Sequence, residues 1–217
     1  MNASIVVLAF GDADMTRRCL DSVRATAPDA ELVVIDNGST EPIDGAVCPP
    51  RNLGFAAGCN LGADLALGDV VVFLNNDTVC HQGWLEALLA PFDDPSVAIT
   101  GATLRYPSGA VQAAGITIDF DRPWGHEAAN ADLPPGDVDG VTGACLAIRR
   151  DVFTAVGGFD EGYWNGYEDV DLCLKVRSRD HRIVLTDARV THLESASGPG
   201  RWTHVGENVA RLRRKWD

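Results

Sequence analysis

The sequence is poor in positive charge. It contains 18 lysine and arginine residues against 31 aspartate and glutamate residues, for a formal net charge of −13 at pH 7. An acidic protein is repelled by nucleic-acid phosphates and by anionic lipid surfaces. The composition therefore disfavours a nucleic-acid partner or a membrane-coating role, without forbidding a local binding site.

Paired cysteines and long apolar runs are also missing. The six cysteines show neither a close pair nor the spacing of a zinc site, which indicates reduced thiols in the core. The opening apolar run, residues 5–8, is too short for a signal peptide or a membrane span. We expect a cytoplasmic protein with no transmembrane segment and leave peripheral membrane contact open. The oligomeric state is not indicated.

The length of 217 residues predicts one domain, 1–217, with two different halves. Residues 1–95 alternate apolar strands with helices, which is typical of a parallel, doubly wound sheet. The strands are predicted at 4–10, 31–35 and 70–74, and the helices at 16–24, 55–67 and 84–89. The predicted class is α/β, with a mixed central sheet and a Rossmann-like N-terminal half.

Residues 96–217 follow another pattern, with strands separated by Pro/Gly turns. These strands are predicted at 97–106, 110–119 and 141–148, and a mobile loop at 121–137. A last helix after Gly198-Pro199-Gly200 carries the basic residues Arg201, Arg211, Arg213, Arg214 and Lys215. Either this helix end is merely solvated, or its charges face an anionic acceptor or phosphates.

Polar residues follow two strands of the first half. Asp36 ends the second strand, and Asp77 comes shortly after the third. Because open α/β sheets bind ligands at the carboxyl ends of their strands, we expect both carboxylates to face one crevice. Carboxylate oxygens suit Mg²⁺ or Mn²⁺, and His192 would add a nitrogen that favours Mn²⁺. A turn and a structural histidine are the competing interpretations.

Carboxylates also cluster where another helix is predicted to begin, at Glu168, Asp169 and Asp171. One interpretation is a general base held ionised by the helix dipole, and the other is simple complementation of that dipole. Earlier in the chain, Gly54 and two further glycines at four-residue intervals leave one helix face without side chains. That face either packs closely on the sheet or contacts a ligand.

Six motifs in this order resemble those of family 2 glycosyltransferases of the rhamnosyltransferase-like kind. The match spans almost the whole chain, and the ordered set is far more specific than any single motif. The motifs are Asp36-Asn37-Gly38-Ser39, residues 52–60, Asn75-Asn76-Asp77-Thr78, Gly157-Gly158-Phe159-Asp160-Glu161, residues 167–173 and His192.

The resemblance implies a GT-A fold that transfers a sugar, with inversion, from a nucleotide-diphosphate-sugar donor such as a UDP-, dTDP- or GDP-sugar. The acceptor would be a glycan, a lipid-linked intermediate or a small molecule. A Mn²⁺ or Mg²⁺ ion would be held by Asp77 and His192, and Asp169 would be the base, tuned by Glu168. The implied donor-binding residues are Asp36, Asn52, Gly54, Phe55, Asn60, Asn76 and Asp77, with residues 1–95 as the donor half.

Residues 96–217 would form the acceptor and catalytic-base half. Acceptor contacts are expected from Trp164, Tyr163 and Asp171, although both aromatic residues also suit a lid or a core. The sequence departs from the family pattern in three ways. Asn75 replaces the first aspartate of the DXD motif, Gly11 stands where asparagine is common, and the sequence ends soon after the basic helix, where some relatives have a further domain or anchor.

Two other functions stay open. A nucleotidyltransferase would also combine a nucleotide site with a metal, but residues 11–14 are acidic where it needs a phosphate-binding glycine loop. A non-catalytic module that binds nucleotide sugars or glycans is the second alternative, and the intact Glu-Asp-x-Asp at 168–171 disfavours it.

Overall fold

The computed structural model describes residues 1–128, 133–193 and 203–217. Its first part alternates strands and helices, as the sequence predicts. The elements are β1 (Ala3–Gly11), α1 (Ala13–Thr26), β2 (Glu31–Ser39), α2 (Phe55–Leu65), β3 (Val70–Asn75), β4 (Thr78–Cys80) and α3 (Trp84–Leu89), followed by a 3₁₀ turn at Ala90–Asp93.

The second part has shorter strands and three helices within the described ranges. Its elements are β5 (Val97–Arg105), β6 (Val111–Ala113), β7 (Ile116–Ile118), β8 (His126–Ala128), β9 (Gly136–Asp137), β10 (Cys145–Arg149), α4 (Arg150–Ala155), α5 (Glu168–Arg177), β11 (Arg182–His192) and α6 (Val205–Trp216).

A mixed sheet joins both parts. Its strand order is β2-β1-β3-β10-β5-β11-β4, with β6 beside β5 and β9 beside β11. β1 pairs in parallel with β2 and β3, while β10 runs antiparallel to β3 and β5 and so links the two parts. Strands β7 and β8 form a separate antiparallel hairpin. The predicted mixed α/β sheet with a parallel N-terminal half is confirmed.

Helices cover both faces of this sheet. Successive side chains of β1 point to opposite faces, so that Ile5 and Val7 join the core under α1 and α3, whereas Val6 and Leu8 join the core under α2, α4 and α5. Three layers result. With both faces covered, the carboxyl ends of β1, β2 and β3 remain as an edge where a ligand can approach the backbone.

The glycine-lined face of α2 packs on β1. A β-carbon on Gly58 would lie 2.4 Å from Leu8 Cδ1, and one on Gly62 would lie 2.3 Å from Val6 Cγ1. Real β-carbons are not found so close to another heavy atom. For these two glycines the packing interpretation is therefore correct, and they place α2 against the sheet rather than against a ligand.

Several predicted boundaries are wrong for local reasons. Helix α1 begins at Ala13 because Asp12 Oδ1 caps it, accepting from the backbone N–H groups of Asp14 at 2.9 Å and Met15 at 3.3 Å. The strand predicted at 110–119 is two strands of different sheets, since Gly115 between them has a φ of +84°.

The strand predicted at 141–148 begins only at Cys145, because the preceding residues form a turn around Gly143. The segment predicted as a mobile loop, 121–137, contains β8 and β9, while residues 129–132 lie outside the described ranges. All six cysteines are unpaired, and Cys48 alone among them is exposed. Within the described ranges, every helix is too short or too polar to span a membrane.

Candidate active site

The carboxyl end of β2 holds Asp36 in a tight turn. Its Oδ1 accepts from the backbone N–H groups of Gly38 at 3.2 Å and Ser39 at 2.9 Å, and its Oδ2 accepts from that of Ile43 at 3.4 Å. Partial burial disfavours the charged form, but these donors outweigh it and lower the pKa of Asp36. Phe10, at the end of β1, is 41% exposed beside Gly38. This edge therefore presents an ionised carboxylate near an exposed ring.

Asn37 links residues 52–54, the next segment expected to bind the donor, to the same edge of the sheet. Its Nδ2 donates to Asn52 Oδ1 at 2.9 Å and to the Gly54 carbonyl at 3.2 Å, while its Oδ1 accepts from the Leu53 N–H at 2.7 Å. Gly54 precedes α2 with a φ of +80°, and the Trp164 ring lies 3.3 Å from where its β-carbon would be. The backbone angle and the nearby ring both require glycine. Asn52 and Gly54 thus lie beside the strand end that carries Asp36.

Phe55 meets the predicted base across Gly143. A β-carbon on Gly143 would lie 3.4 Å from Phe55 Cζ and 3.5 Å from Asp169 Cβ. The Gly143 N–H donates to Asp169 Oδ2 at 2.9 Å, and the Val170 N–H donates to Oδ1 at 2.8 Å. These bonds fix the carboxylate and leave a further lone pair on each oxygen. The start of α2 and the start of α5 therefore converge.

Two asparagines expected to bind the donor instead hold the protein backbone. Asn60 Nδ2 donates to the Phe159 carbonyl and its Oδ1 accepts from the Phe159 N–H, each at 3.0 Å. Asn76 is 5% exposed, and its Nδ2 donates to the Phe10 carbonyl at 2.9 Å. Because both amides are hydrogen-bonded to other parts of the protein, we correct their role from donor contact to loop positioning.

The sheet brings Asp77 and His192 together although 114 positions lie between them in the sequence. His192 pairs with Thr78 in the β4–β11 ladder, and the Leu193 N–H donates to the Asp77 carbonyl at 2.9 Å. As a result His192 Nε2 lies 3.1 Å from Asp77 Oδ1. On its other side, His192 Nδ1 is 2.6 Å from Gln112 Oε1.

This arrangement fits a divalent cation. Gln112 holds the ring so that Nε2 faces the Asp77 carboxylate. A divalent cation at this point would take Nε2 and Oδ1 as ligands, and Gln112 would orient the ring as outer partners of metal-bound histidines do. Since no group of three or more His, Cys, Asp or Glu that could hold a metal occurs in the described ranges, further ligands would come from substrate and water.

Glu168, expected beside the base as a catalytic group, turns inward. It is 5% exposed, and its Oε2 accepts from the Gly166 N–H at 2.7 Å. Burial raises the pKa of the Cys59 thiol beneath it, and the Glu168 charge raises that pKa further. We therefore correct Glu168 from a catalytic role to holding the turn before α5.

Asp169 and His192 line one cavity of about 610 Å³. Its walls come from β5, β6, the β7–β8 hairpin, the loop before α5 and the start of α6. The other lining residues are Leu104, Gln112, Ala113, Ile116, Trp124, His126, Glu127, Thr142, Asn165, Gly166, Tyr167 and Val205. The predicted base and one predicted metal ligand thus open onto the same space.

Of the three residues expected to contact an acceptor, two are in the interior. Tyr163 is 2% exposed and Asp171 is fully buried, with the Tyr163 hydroxyl 3.4 Å from Asp171 Oδ1. Burial, and then the Asp171 charge, raise the pKa of Tyr163. Side chains at this depth do not reach an acceptor, so both assignments are corrected to core roles. Trp164 is 45% exposed and lies against Gly54, on the donor side.

Three basic residues of α6 are bonded to other parts of the protein, whereas Arg214 is exposed. Arg211 pairs with Asp160 at 2.7 Å, Lys215 pairs with Asp171 at 2.7 Å, and Arg213 donates to the Phe120 carbonyl at 2.7 Å. The helix is thereby tied to three other segments. Arg201, assigned to the same patch, lies outside the described residues.

Sequence reasoning missed four residues of the site. Asn208 is 3% exposed and donates to the carbonyls of Trp164 at 3.0 Å and Gly166 at 2.9 Å, which fixes the loop before α5. Gln112, Trp124 and Phe10 are the others. A weak signal existed for Phe10, an aromatic residue at the carboxyl end of a strand, whereas the other three come from segments that only the fold brings to the site.

Comparison with known proteins identifies two matching families. The description "Glycosyl transferase family 2" matches residues 4–157, more than half of the chain, and "N-terminal domain of galactosyltransferase" matches residues 125–196. An O-antigen biosynthesis protein of Myxococcus xanthus is 32% identical, covering 88% of this chain and 17% of its own length. The pre-mycofactocin glycosyltransferase of Mycobacterium tuberculosis is 31% identical, covering 81% of this chain and 39% of its own length.

This chain therefore spans well under half the length of these two relatives. Among solved structures, that of GalNAc-T7 with UDP, GalNAc and Mn²⁺ superposes with a TM-score of 0.76 at 18% identity, covering 95% of this chain and 48% of that one. At such low identity the likeness concerns the fold alone. It confirms the fold that the resemblance implies.

Proposed function

Because the chain belongs to glycosyl transferase family 2, we propose that it moves a sugar from a nucleoside-diphosphate-sugar donor to an acceptor hydroxyl with inversion. The observation that supports this most is the shared cavity of Asp169 and His192, with Asp77 Oδ1 only 3.1 Å from His192. Inversion needs a base on one side of the anomeric carbon and a stabilised leaving group on the other. Asp169 would be the base, and a cation held by Asp77 and His192 would stabilise the leaving group.

The donor would lie along the edge formed by β1, β2 and the start of α2. Asp36, ionised and held by backbone donors, accepts a hydrogen bond from a base N–H, and the exposed Phe10 ring offers a flat surface beside it. Asn52, Gly54 and Phe55 border the sugar diphosphate. The neighbour with bound UDP supports a nucleotide at this type of fold.

Asp77 and His192 would hold Mn²⁺ or Mg²⁺ at the diphosphate end. When bound, the cation stabilises the negative charge that develops on the leaving diphosphate. Mn²⁺ in the neighbouring GalNAc-T7 structure supports this choice of ion. Gln112 fixes the imidazole so that Nε2 faces Asp77.

Asp169 acts on the acceptor side. Its two backbone hydrogen bonds hold the carboxylate in place, so that a remaining lone pair accepts the hydroxyl proton as the acceptor oxygen bonds to the anomeric carbon. The bond from that carbon to the phosphate oxygen breaks in the same step. Such positioning matters because proton transfer requires hydrogen-bond contact with the reacting group.

Calorimetry with nucleoside diphosphates tests the proposal before any acceptor is known. UDP, dTDP and GDP are titrated into the protein with Mn²⁺ and with EDTA. We expect at least one of them to bind roughly 10- to 100-fold more tightly with Mn²⁺, the range seen when a metal site is weakened or lost. Asp77→Ala should remove that difference, while the exposed Asp29→Asn should keep it. Equal affinity in Mn²⁺ and EDTA for all three nucleotides would refute the site.

A further inference from the structure

The β7–β8 hairpin lines the cavity over Asp169. This hairpin is not part of the proposed donor site. Its volume of about 610 Å³ lies within the ordinary range for small-molecule sites. Asp169 and His192 line it together. A molecule in this cavity therefore has direct access to the proposed base.

Trp124 lines this cavity and is 57% exposed. A tryptophan so exposed loses much of the stabilisation that burial would give it, so its position suggests a contact with something else. The turn that carries it is well fastened. Asp119 N–H donates to the Gly125 carbonyl at 2.9 Å, and Gly125 N–H donates to the Arg122 carbonyl at 3.1 Å.

Two further contacts set the orientation of this turn. Arg213 of α6 donates to the Phe120 carbonyl at 2.7 Å and to the Arg122 carbonyl at 2.6 Å. The His126 ring packs edge-on against Tyr167 with ring centroids 4.8 Å apart, which joins the hairpin to the start of α5. The backbone that carries Trp124 is therefore held in place, which lowers the entropic cost of binding a ring there.

The charge of the lining indicates what kind of ring enters. Among the described residues that line the cavity, Asp169 and Glu127 are acidic and none is lysine or arginine. The two carboxylates disfavour a phosphate or carboxylate group beside the reacting hydroxyl. Thr142, His126 and Glu127 add polar groups to a lining that also contains apolar residues. Such a mixture suits a molecule with hydroxyls at its rim and C–H groups on its face.

We propose that this cavity is the acceptor site and that it takes a neutral glycan, one sugar ring of which packs its C–H face on Trp124 while a hydroxyl reaches Asp169. This inference rests on the proposed function and adds the acceptor class to it. Trp124 is then a specificity-determining residue, and the β7–β8 hairpin selects the acceptor.

Saturation-transfer NMR tests the proposal with defined probes. Neutral methyl glycosides of common mono- and disaccharides, the corresponding sugar phosphates, and phenol and tyramine as aromatic alcohols are titrated in the presence of UDP and Mn²⁺. We expect at least one neutral glycoside to bind through its ring C–H protons and the sugar phosphates to bind more weakly. Trp124→Ala should weaken glycoside binding roughly 3- to 10-fold, and Trp124→Phe should retain most of it.

The controls separate this proposal from the donor chemistry. Tyr106→Ala, at an exposed aromatic residue outside the cavity lining, should bind glycosides like the wild type. UDP affinity in Mn²⁺ should be the same in Trp124→Ala and wild type, because the donor edge is elsewhere. If metal-dependent nucleotide binding is intact, unchanged glycoside affinity in a folded Trp124→Ala variant, stronger binding of sugar phosphates, binding of the aromatic alcohols alone, or no glycoside binding would overturn the acceptor assignment and leave the proposed function standing.

Discussion

The two walls of the proposed active site are built by different means. The donor wall, which carries Asp36, Asn52, Gly54 and Phe55, is made of strand ends and the turns that follow them within residues 1–95. The acceptor wall consists of the β7–β8 hairpin and residues 160–167, both of which are bonded to side chains of α6. One wall follows from local sequence order, and the other depends on a helix at the far end of the chain.

A few side chains of helix α6 hold the acceptor wall in place. Asn208 holds the loop before α5, Arg213 holds the hairpin, and Lys215 compensates the fully buried Asp171. Trp216 Nε1 donates to Asp171 as well, at 2.8 Å. A buried carboxylate is strongly destabilising without such partners. The comparison therefore predicts that damage to the acceptor wall affects stability and transfer together, whereas damage to the donor wall affects nucleotide binding.

The largest expected effect lies where the walls meet. Asp169→Asn keeps the size of the side chain but cannot take a proton, and its amide can accept only one of the two backbone N–H bonds that the carboxylate accepts. We therefore expect nucleotide affinity in Mn²⁺ to stay within about twofold while sugar transfer falls roughly 10²- to 10⁴-fold. Release of UDP from UDP-sugars, with a neutral glycoside as acceptor, measures the rate. Asp44→Asn, on an exposed turn, serves as the control. Transfer near the wild-type rate in a folded Asp169→Asn enzyme would move the base to another residue.

Much of the donor wall could be predicted because its signals are local. An apolar strand followed by a polar turn places Asp36 at a sheet edge by geometry alone, and the same reasoning places Asp77 there. The pairing of Asp77 with His192 needed the family resemblance, since β4 and β11 meet only in the folded sheet. Asn60 and Asn76 were misassigned because a motif does not reveal whether an amide faces the ligand or the backbone.

The acceptor wall was largely beyond prediction. The sequence predicts a mobile loop where the hairpin bearing Trp124 lies, because this Pro/Gly-rich segment lacks periodicity and its support comes from Arg213, some 90 residues later. The sequence also does not show that Asp160 and Asp171 lie opposite the basic residues of α6. For the same reason it does not reveal that Tyr163 and Asp171 are in the core.

A substitution in α2 tests whether the donor wall depends on close helix packing. Gly58→Ala places a β-carbon 2.4 Å from Leu8 Cδ1, so Leu8 or the helix must move. We expect a loss of roughly 1–3 kcal/mol in the free energy of unfolding, measured by urea denaturation, and weaker nucleotide binding because Gly54 moves with the helix. A stability equal to the wild type would show that α2 is not as tightly seated as described. Gly136→Ala, with open space around its β-carbon, is the matched control.

The ion pairs of α6 predict an acid-sensitive acceptor wall. Partial burial disfavours the charged form of Asp160, but hydrogen bonds from Arg211, the Gly162 N–H and Lys215 lower its pKa to about 2. Because this folded-state pKa is below the ordinary value of 3.8, the stabilisation is complete above about pH 4 and is lost as the pH falls towards 2.

Asp160→Asn should therefore cost up to roughly 2 kcal/mol of unfolding free energy at pH 7 and reduce the difference between pH 7 and pH 3. Thermal and urea unfolding at both pH values measure this. Asp217→Asn breaks an exposed pair with Arg213 and should cost less than about 0.5 kcal/mol. An unchanged pH dependence in Asp160→Asn would mean that α6 is held mainly by its apolar face.

The substitution with the smallest expected effect, Gly206→Ala, should stabilise the acceptor wall. Gly206 lies in the first turn of α6 with open space around the position of a β-carbon and without a positive φ, so alanine fits there without strain. Gly206→Ala should raise the free energy of unfolding by roughly 0.4–1 kcal/mol, because the unfolded chain loses freedom. The side chains of α6 bond to the hairpin and to the loop before α5, and they reach the donor wall only indirectly, through the Trp164 ring against Gly54. Glycoside affinity should therefore rise or stay constant while UDP affinity stays constant. A change confined to UDP affinity would contradict the division between the two walls and assign α6 to both.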